Sequence, residues 1–202
     1  MTKRVLLLLC KGTELFEAAA FYDVIGWAQT HCGSIEAVTV APTPVVECTF
    51  GLKIHADSPI AEIDPTHFDA LAIPGGFEEF GFYDASYSTL VQTLISHFVE
   101  AGKPIATICV GALPLGKTGA LEGKSATTYH LGDGKRRQQL AAFGARVLDR
   151  QIVQEGPFMT STSPATAAEV AFRLVGILLG EASAQELRTL MGFTPEKIDG
   201  QS

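Results

Sequence analysis

Cys109 stands where an apolar run, 104–108, gives way to Val110, Gly111, Ala112, Leu113 and Leu115. The run reads as a buried parallel strand and the residues after it as a short apolar helix. A thiol at that corner lies beside the unpaired N–H groups of a helix start. This predicts a lowered pKa and a side chain pushed out of the turn towards a substrate. The plainer alternative is a small buried hydrophobe, the fate of most lone cysteines. Position separates Cys109 from Cys10, Cys32 and Cys48, none of which ends a strand that opens into a helix. Glu17 is the second candidate. It shares a helical face with Ala20, Phe21, Val24 and Ala28, so one carboxyl lies among apolar neighbours in a first helical turn. Burial raises such a pKa and a helix start lowers it; a solvated helix-start acid is the alternative, and Glu14 fits that description better. Gly75-Gly76 follows a third apolar run, and its bare N–H groups form either an anion-binding nest, half of an oxyanion hole, or an ordinary tight turn. His130 follows the β-branched stretch 125–129.

The elements that would hold these residues alternate. Strands are expected at 5–10, 35–40, 68–73, 104–108, 125–129, 146–148, 152–154 and 158–160, with a β-hairpin over 43–57 and a weak helical turn at 59–64. Helices are expected at 14–31, with Gly12 and Thr13 as turn and cap, and at 90–99, 133–143, 164–179 and 182–191. Such alternation implies an α/β fold: a mostly parallel sheet covered by helices on both faces. Ligands then collect at the carboxyl ends of the strands, where residues 12–17, Pro74-Gly75-Gly76, Cys109 and His130 converge. The aromatic stretch 77–83 reads as a loop over the same edge. The cations Lys135, Arg136 and Arg137 read as a solvated helix face, and Trp27 as core packing. His31, His55, His67 and His97 read as surface or helix-end histidines.

Composition narrows the function. The 202 residues suit one domain over 1–193, with a loose polar tail at 194–202. Hydrophobic residues make up 47% and charged ones 18%, so a large core forms, and a formal net charge of −7 speaks against a nucleic-acid surface. A mean hydropathy of +0.22 fits a fully buried sheet and a buried subunit interface. The four cysteines form no CxxC pattern and no metal-type grouping with histidine. No metal and no cofactor are expected, and reduced thiols fit a cytoplasmic location. The apolar run at 5–9 is too short for a signal peptide, and nothing approaches membrane-spanning length.

Five segments in order resemble the DJ-1/PfpI superfamily, over about residues 3–180. They are Lys11-Gly12-Thr13-Glu14-Leu15-Phe16-Glu17, Pro74-Gly75-Gly76, Ile108-Cys109-Val110-Gly111, residues 121–130 ending in His130, and Thr160-Ser161-Thr162-Ser163-Pro164. The resemblance implies a flavodoxin-like three-layer sandwich, a homodimer, and a site of Cys109, Glu17 and His130. Gly75, Gly76 and Val110 would bind the oxyanion or substrate. Val110 stands where the similar protease branch has histidine, which weakens a protease reading. Residues 131–202 contain no histidine, which closes the route used by class I glutamine amidotransferases. The isocyanide-hydratase branch is similar at the elbow but has aspartate where Glu17 stands. The DJ-1 branch keeps glutamate but differs at Val110-Gly111-Ala112, so the chain sits between the two.

The expected activity is cofactor-independent: a Cys109 thiolate attacks a small reactive carbonyl, Gly76 and Val110 hold the oxyanion, Glu17 moves protons, and His130 assists. Hydration of an isocyanide is the sister reading. A non-enzymatic oxidative-stress sensor or chaperone, acting through oxidation of Cys109, is the other.

Overall fold

The computed structural model describes residues 2–193; the tail expected at 194–202 lies outside the described residues. In chain order the strands are β1 (Lys3–Leu8), β2 (Ile35–Ala41), β3 (Val45–Glu47), β4 (Lys53–His55), β5 (Ser58–Pro59), β6 (Ala70–Ile73), β7 (Ile105–Thr107), β8 (Ser125–Ala126), β9 (Arg146–Val147), β10 (Ile152–Glu155) and β11 (Phe158–Ser161). The helices are α1 (Leu15–His31), α2 (Phe82–Ser86), α3 (Thr89–Glu100), α4 (Ala112–Lys117), α5 (Lys135–Ala142), α6 (Ala167–Leu179) and α7 (Glu181–Leu190).

Seven strands form one sheet in the order β10-β11-β7-β6-β1-β2-β5. Every pair is parallel except β10–β11. Strands β3 and β4 make the expected antiparallel hairpin. Helices α1, α6 and α7 pack together, and α3 packs with α4 and β6. The central strands carry continuous apolar runs because both their faces are covered: every residue of β6 and β7 is buried, as are Val5–Leu8. In α1 the buried side chains are Glu17, Ala18, Phe21, Val24, Ile25 and Ala28; in α3 they are Val91, Leu94, Ile95 and Phe98. Each fully buried large side chain contributes about 1.5–3 kcal/mol relative to exposure.

Some expectations shift. Strand 125–129 shortens to two residues, and 77–83 is not an open loop but a 3₁₀ turn (Glu78–Phe80) running into α2. Trp27 is 41% exposed and lies against the His31 ring at 5.3 Å, so it is not core. The Thr13 hydroxyl does not cap α1; it turns inward and accepts the Cys10 N–H at 3.0 Å. After β1 the chain builds outward through β2 and then returns to place β6 on the other side of β1. That reversal opens a crevice at the carboxyl ends of β1 and β6, and β7, which delivers Cys109, lies next to β6.

Candidate active site

Cys109 follows β7 in a left-handed conformation, φ 55°. For a residue with a Cβ this costs about 1–3 kcal/mol and persists only when its surroundings over-determine it. They do so here. Ile108 N–H donates to the Ile73 carbonyl at 3.1 Å, and Gly111 N–H closes the turn onto the Ile108 carbonyl at 2.8 Å. A side chain at Gly111 would meet the Ile73 carbonyl and Pro74, so the elbow fits against the end of β6 only with glycine there. The Thr128 hydroxyl donates to the Cys109 carbonyl at 2.9 Å. Residues 109–111 form a 3₁₀ turn and α4 follows, matching the expected corner.

Glu17 reaches the same point from α1. An antiparallel bridge pairs Thr13 with Gly76: Glu14 N–H donates to the Gly75 carbonyl at 2.9 Å, and Phe77 N–H to the Gly12 carbonyl at 3.0 Å. Gly76 has no room for a Cβ, since the Gly12 carbonyl and the Phe82 ring occupy that space. The bridge fixes the first turn of α1 against the glycine turn, and Glu17 is fully buried there. Its Oε2 accepts the Gly75 N–H at 2.6 Å. Among the described residues its Oε1 is buried with no hydrogen-bond partner but the Cys109 thiol. A Cβ on Gly75 would come within 3.0 Å of Glu17 Oε2, 3.0 Å of Val110 N and 3.1 Å of Cys109 Cβ. Glu17, Gly75, Cys109 and Val110 therefore surround one point.

The electrostatics correct one expectation. Cys109 is 9% exposed rather than open to solvent. Burial pushes its thiol well above the ordinary value, and the negative charge of Glu17 adds to this; the Val110 N–H works the other way and is outweighed. A resting thiolate is not what this environment favours. Burial also raises Glu17, to about 8, against the opposing Gly75 hydrogen bond. A carboxyl poised near neutrality beside a reluctant thiol can take the sulfur's proton as a bond forms, or return it.

The remaining candidates divide. Gly75 was expected among the oxyanion and substrate-binding residues, but its N–H is spent on Glu17, so its part here is to hold the acid. Val110 N lies beside Cys109 around the same point as Gly75, and its N–H pulls the thiol pKa down. Among the described residues no backbone or side-chain group accepts from Gly76 N–H. His130 is half-buried and its Nδ1 is buried without a partner; it hydrogen-bonds to neither Cys109 nor Glu17. Among the described residues no group of three or more His, Cys, Asp or Glu side chains could hold a metal ion.

Four residues near the strand ends were not read as part of the site from the sequence. Thr128, which braces the elbow, lies in the segment singled out for its histidine. Arg136 and Lys135 are not simply a solvated face: both bind Glu78 Oε2, at 2.8 and 2.9 Å, and hold that carboxyl down to about 2. Tyr83, on α2, has its ring 4.7 Å from the Arg136 guanidinium. Residues 77–87 and α5 are thus tied together above the strand ends.

Comparison with known proteins agrees with this fold. The DJ-1/PfpI family matches residues 3–176. The chain is 30% identical over 197 residues to DJ-1 homolog A of Arabidopsis thaliana, covering 96% of this chain but spanning only 47% of that relative, about half its length. It is 31% identical over 190 residues to dj-1beta of Drosophila melanogaster, covering 93% of this chain and 95% of that one. The crystal structure of that fly protein superposes with a TM-score of 0.83 at 29% identity, over 95% of this chain and 98% of that one. Deglycase PfpI of Pyrococcus furiosus is 33% identical over 122 residues, 59% of this chain and 68% of that relative. No helix of the described residues is long and apolar enough to cross a membrane.

Proposed function

The chain belongs to the DJ-1/PfpI family, and from that premise we propose that it is a cofactor-independent cysteine enzyme acting on small reactive 1,2-dicarbonyls such as methylglyoxal. One observation carries the reading: the buried Glu17 carboxyl, pinned through one oxygen by Gly75, lies beside Cys109 around the same point.

The Cys109 sulfur adds to the aldehyde carbon. The carbon–sulfur bond forms as the C=O π bond breaks, and Glu17 takes the thiol proton. The developing oxyanion takes N–H donation from Val110, with Gly76 as the second candidate donor. Glu17 gives its proton to that oxygen, leaving a hemithioacetal. The same carboxylate then takes the proton from this carbon, giving an enediol, and returns it to the neighbouring carbon, while the hydroxyl proton of the first carbon passes to the oxygen of the second. The first carbon is oxidised to a thioester and the second reduced to an alcohol, with no external oxidant. Water releases lactate and restores the thiol. His130, with a buried unpaired Nδ1, is a candidate for orienting that water. Exposed Phe16, Phe50 and Leu52, on α1 and the turn of the hairpin, support a homodimer.

The test is loss of methylglyoxal and appearance of lactate in glutathione-free buffer. Turnover no greater than that of Cys109→Ala ends the reading for this substrate. The same buried carboxyl favours a second reading, in which a protonated Glu17 hydrogen-bonds a Cys109 sulfinate formed by peroxide. Mass spectrometry after mild peroxide treatment decides it: Cys109 unmodified while other thiols oxidise excludes a sensor role.

A further inference from the structure

We propose that Thr128 is a positioning residue: by holding the Cys109 carbonyl, its hydroxyl locks the Cys109–Val110 peptide with the Val110 N–H on the side of the reacting centre. The proposal rests on the carbonyl-addition reading above, in which the Val110 N–H receives the oxyanion, and adds the residue that keeps it aimed.

A trans peptide unit is planar, and its C=O and N–H point in opposite directions. Fixing one end of the Cys109–Val110 unit therefore fixes the other. The Thr128 hydroxyl donates to the Cys109 carbonyl at 2.9 Å. At the opposite end, Val110 N lies 3.0 Å from where a Gly75 Cβ would stand, a point it shares with Cys109 Cβ and Glu17 Oε2. The carbonyl is thus tied on one side of the peptide, and the N–H is left on the other, with the acid and the cysteine side chain. The same N–H pulls the Cys109 thiol pKa down, as a donor on that side does.

The turn needs such a tie. Cys109 is left-handed at φ 55°, and a residue with a Cβ keeps that conformation only when its surroundings impose it. Thr128 can impose it because it is itself fixed. Both Thr127 and Thr128 are buried. Thr127 N–H donates to Thr160 Oγ1 at 2.9 Å. Thr160 lies on β11, which pairs directly with β7, the strand that delivers Cys109. The two ends of the Thr128–Cys109 bond therefore stand on neighbouring strands of one sheet. A buried carbonyl that loses its donor costs free energy until it finds another, so removing the hydroxyl lets the peptide turn.

Two consequences separate aiming from simple support. A turned peptide withdraws a donor that acts on the oxyanion, so turnover suffers more than binding. It also withdraws a donor from the thiolate, so Cys109 ionises less readily and alkylates more slowly. A loosened core would do the reverse, because Cys109 is only 9% exposed and a breach would admit the reagent.

The experiment compares wild type with Thr128→Val, which keeps the shape and removes the hydroxyl, and with Thr128→Ser, which keeps the hydroxyl. Alkylation of Cys109 by iodoacetamide is followed by peptide-resolved mass spectrometry near neutral pH. It should slow about threefold or more in Thr128→Val, the net effect of raising a thiol pKa by about one unit. With methylglyoxal, kcat should fall at least about tenfold while KM stays within about twofold. Thr128→Ser should restore both quantities. Should Thr128→Val fail to fold, Thr128→Ala reads the same two. A wild type that alkylates without turning over ends the dicarbonyl reading, and the alkylation comparison then decides Thr128 by itself. Alkylation unchanged or faster without the hydroxyl, unchanged kcat, a loss confined to KM, or no recovery in Thr128→Ser each overturns the Thr128 assignment.

Discussion

The amide of Gly75 donates to Glu17 Oε2 at 2.6 Å, which leaves the Cys109 thiol as the one side-chain partner of the same buried acid among the described residues. Backbone orients the carboxyl, so it is delivered to the sulfur without help from another side chain. Substitution at Gly75 should therefore damage chemistry more than folding. In Gly75→Ala the new methyl meets Glu17, Val110 and Cys109 at about 3 Å. We expect dicarbonyl kcat/KM to fall at least tenfold while unfolding free energy drops by about 1–3 kcal/mol, read by steady-state assay and denaturant titration.

Glu17 should also shape stability against pH. Its pKa rises from an ordinary 4.5 to about 8 on folding. Between those values the folded state binds more protons than the unfolded one, so stability falls as pH rises, by up to ~1.4 kcal/mol per unit. The contribution is fully present below 4.5 and lost through about 8. Glu17→Gln should flatten this slope in thermal melts across the window. Wild-type turnover should rise with pH through about 8, as the carboxylate becomes available to accept the thiol proton.

Cys109 sits at φ 55°, and the strain there should be measurable. Cys109→Ala and Cys109→Gly both remove the sulfur, but only glycine removes the left-handed penalty. The glycine variant should be more stable than the alanine variant by about 1 kcal/mol, measured by denaturant unfolding of the two proteins side by side.

The exposed Phe50 gives a check on assembly. It too is left-handed, at φ 66°, and 77% exposed. Phe50→Asp should shift a dimer towards monomer in sedimentation equilibrium with little change in melting of the isolated chain.

Much of this arrangement was legible in the residues themselves. The runs that became β1, β6 and β7 are unbroken because both faces of a central parallel strand are covered. Cys109 was distinguished by the strand-to-helix corner, and Glu17 by sharing a helical face with Phe21 and Val24. What escaped depends on contacts between distant segments. Lys135 and Arg136 look solvated in isolation; the partner that gathers them, Glu78, lies 57 and 58 residues away. The lowered thiol pKa expected at a helix start was reversed because the environment of Cys109 depends on packing, and burial beside Glu17 outweighs the turn's N–H. Strand 125–129 stops early because side chains take over: Thr127 N–H donates to Thr160 Oγ1 and the Thr128 hydroxyl to the elbow. That leaves His130 in irregular chain, where periodicity cannot place it.

The seven-stranded sheet ends at β5, only two residues long and closing on Pro59. A proline has no N–H to offer an incoming strand, and so short a border gives little template for one. This flank is blunted against edge-to-edge aggregation, the standing hazard for a hydrophobic β-rich interior.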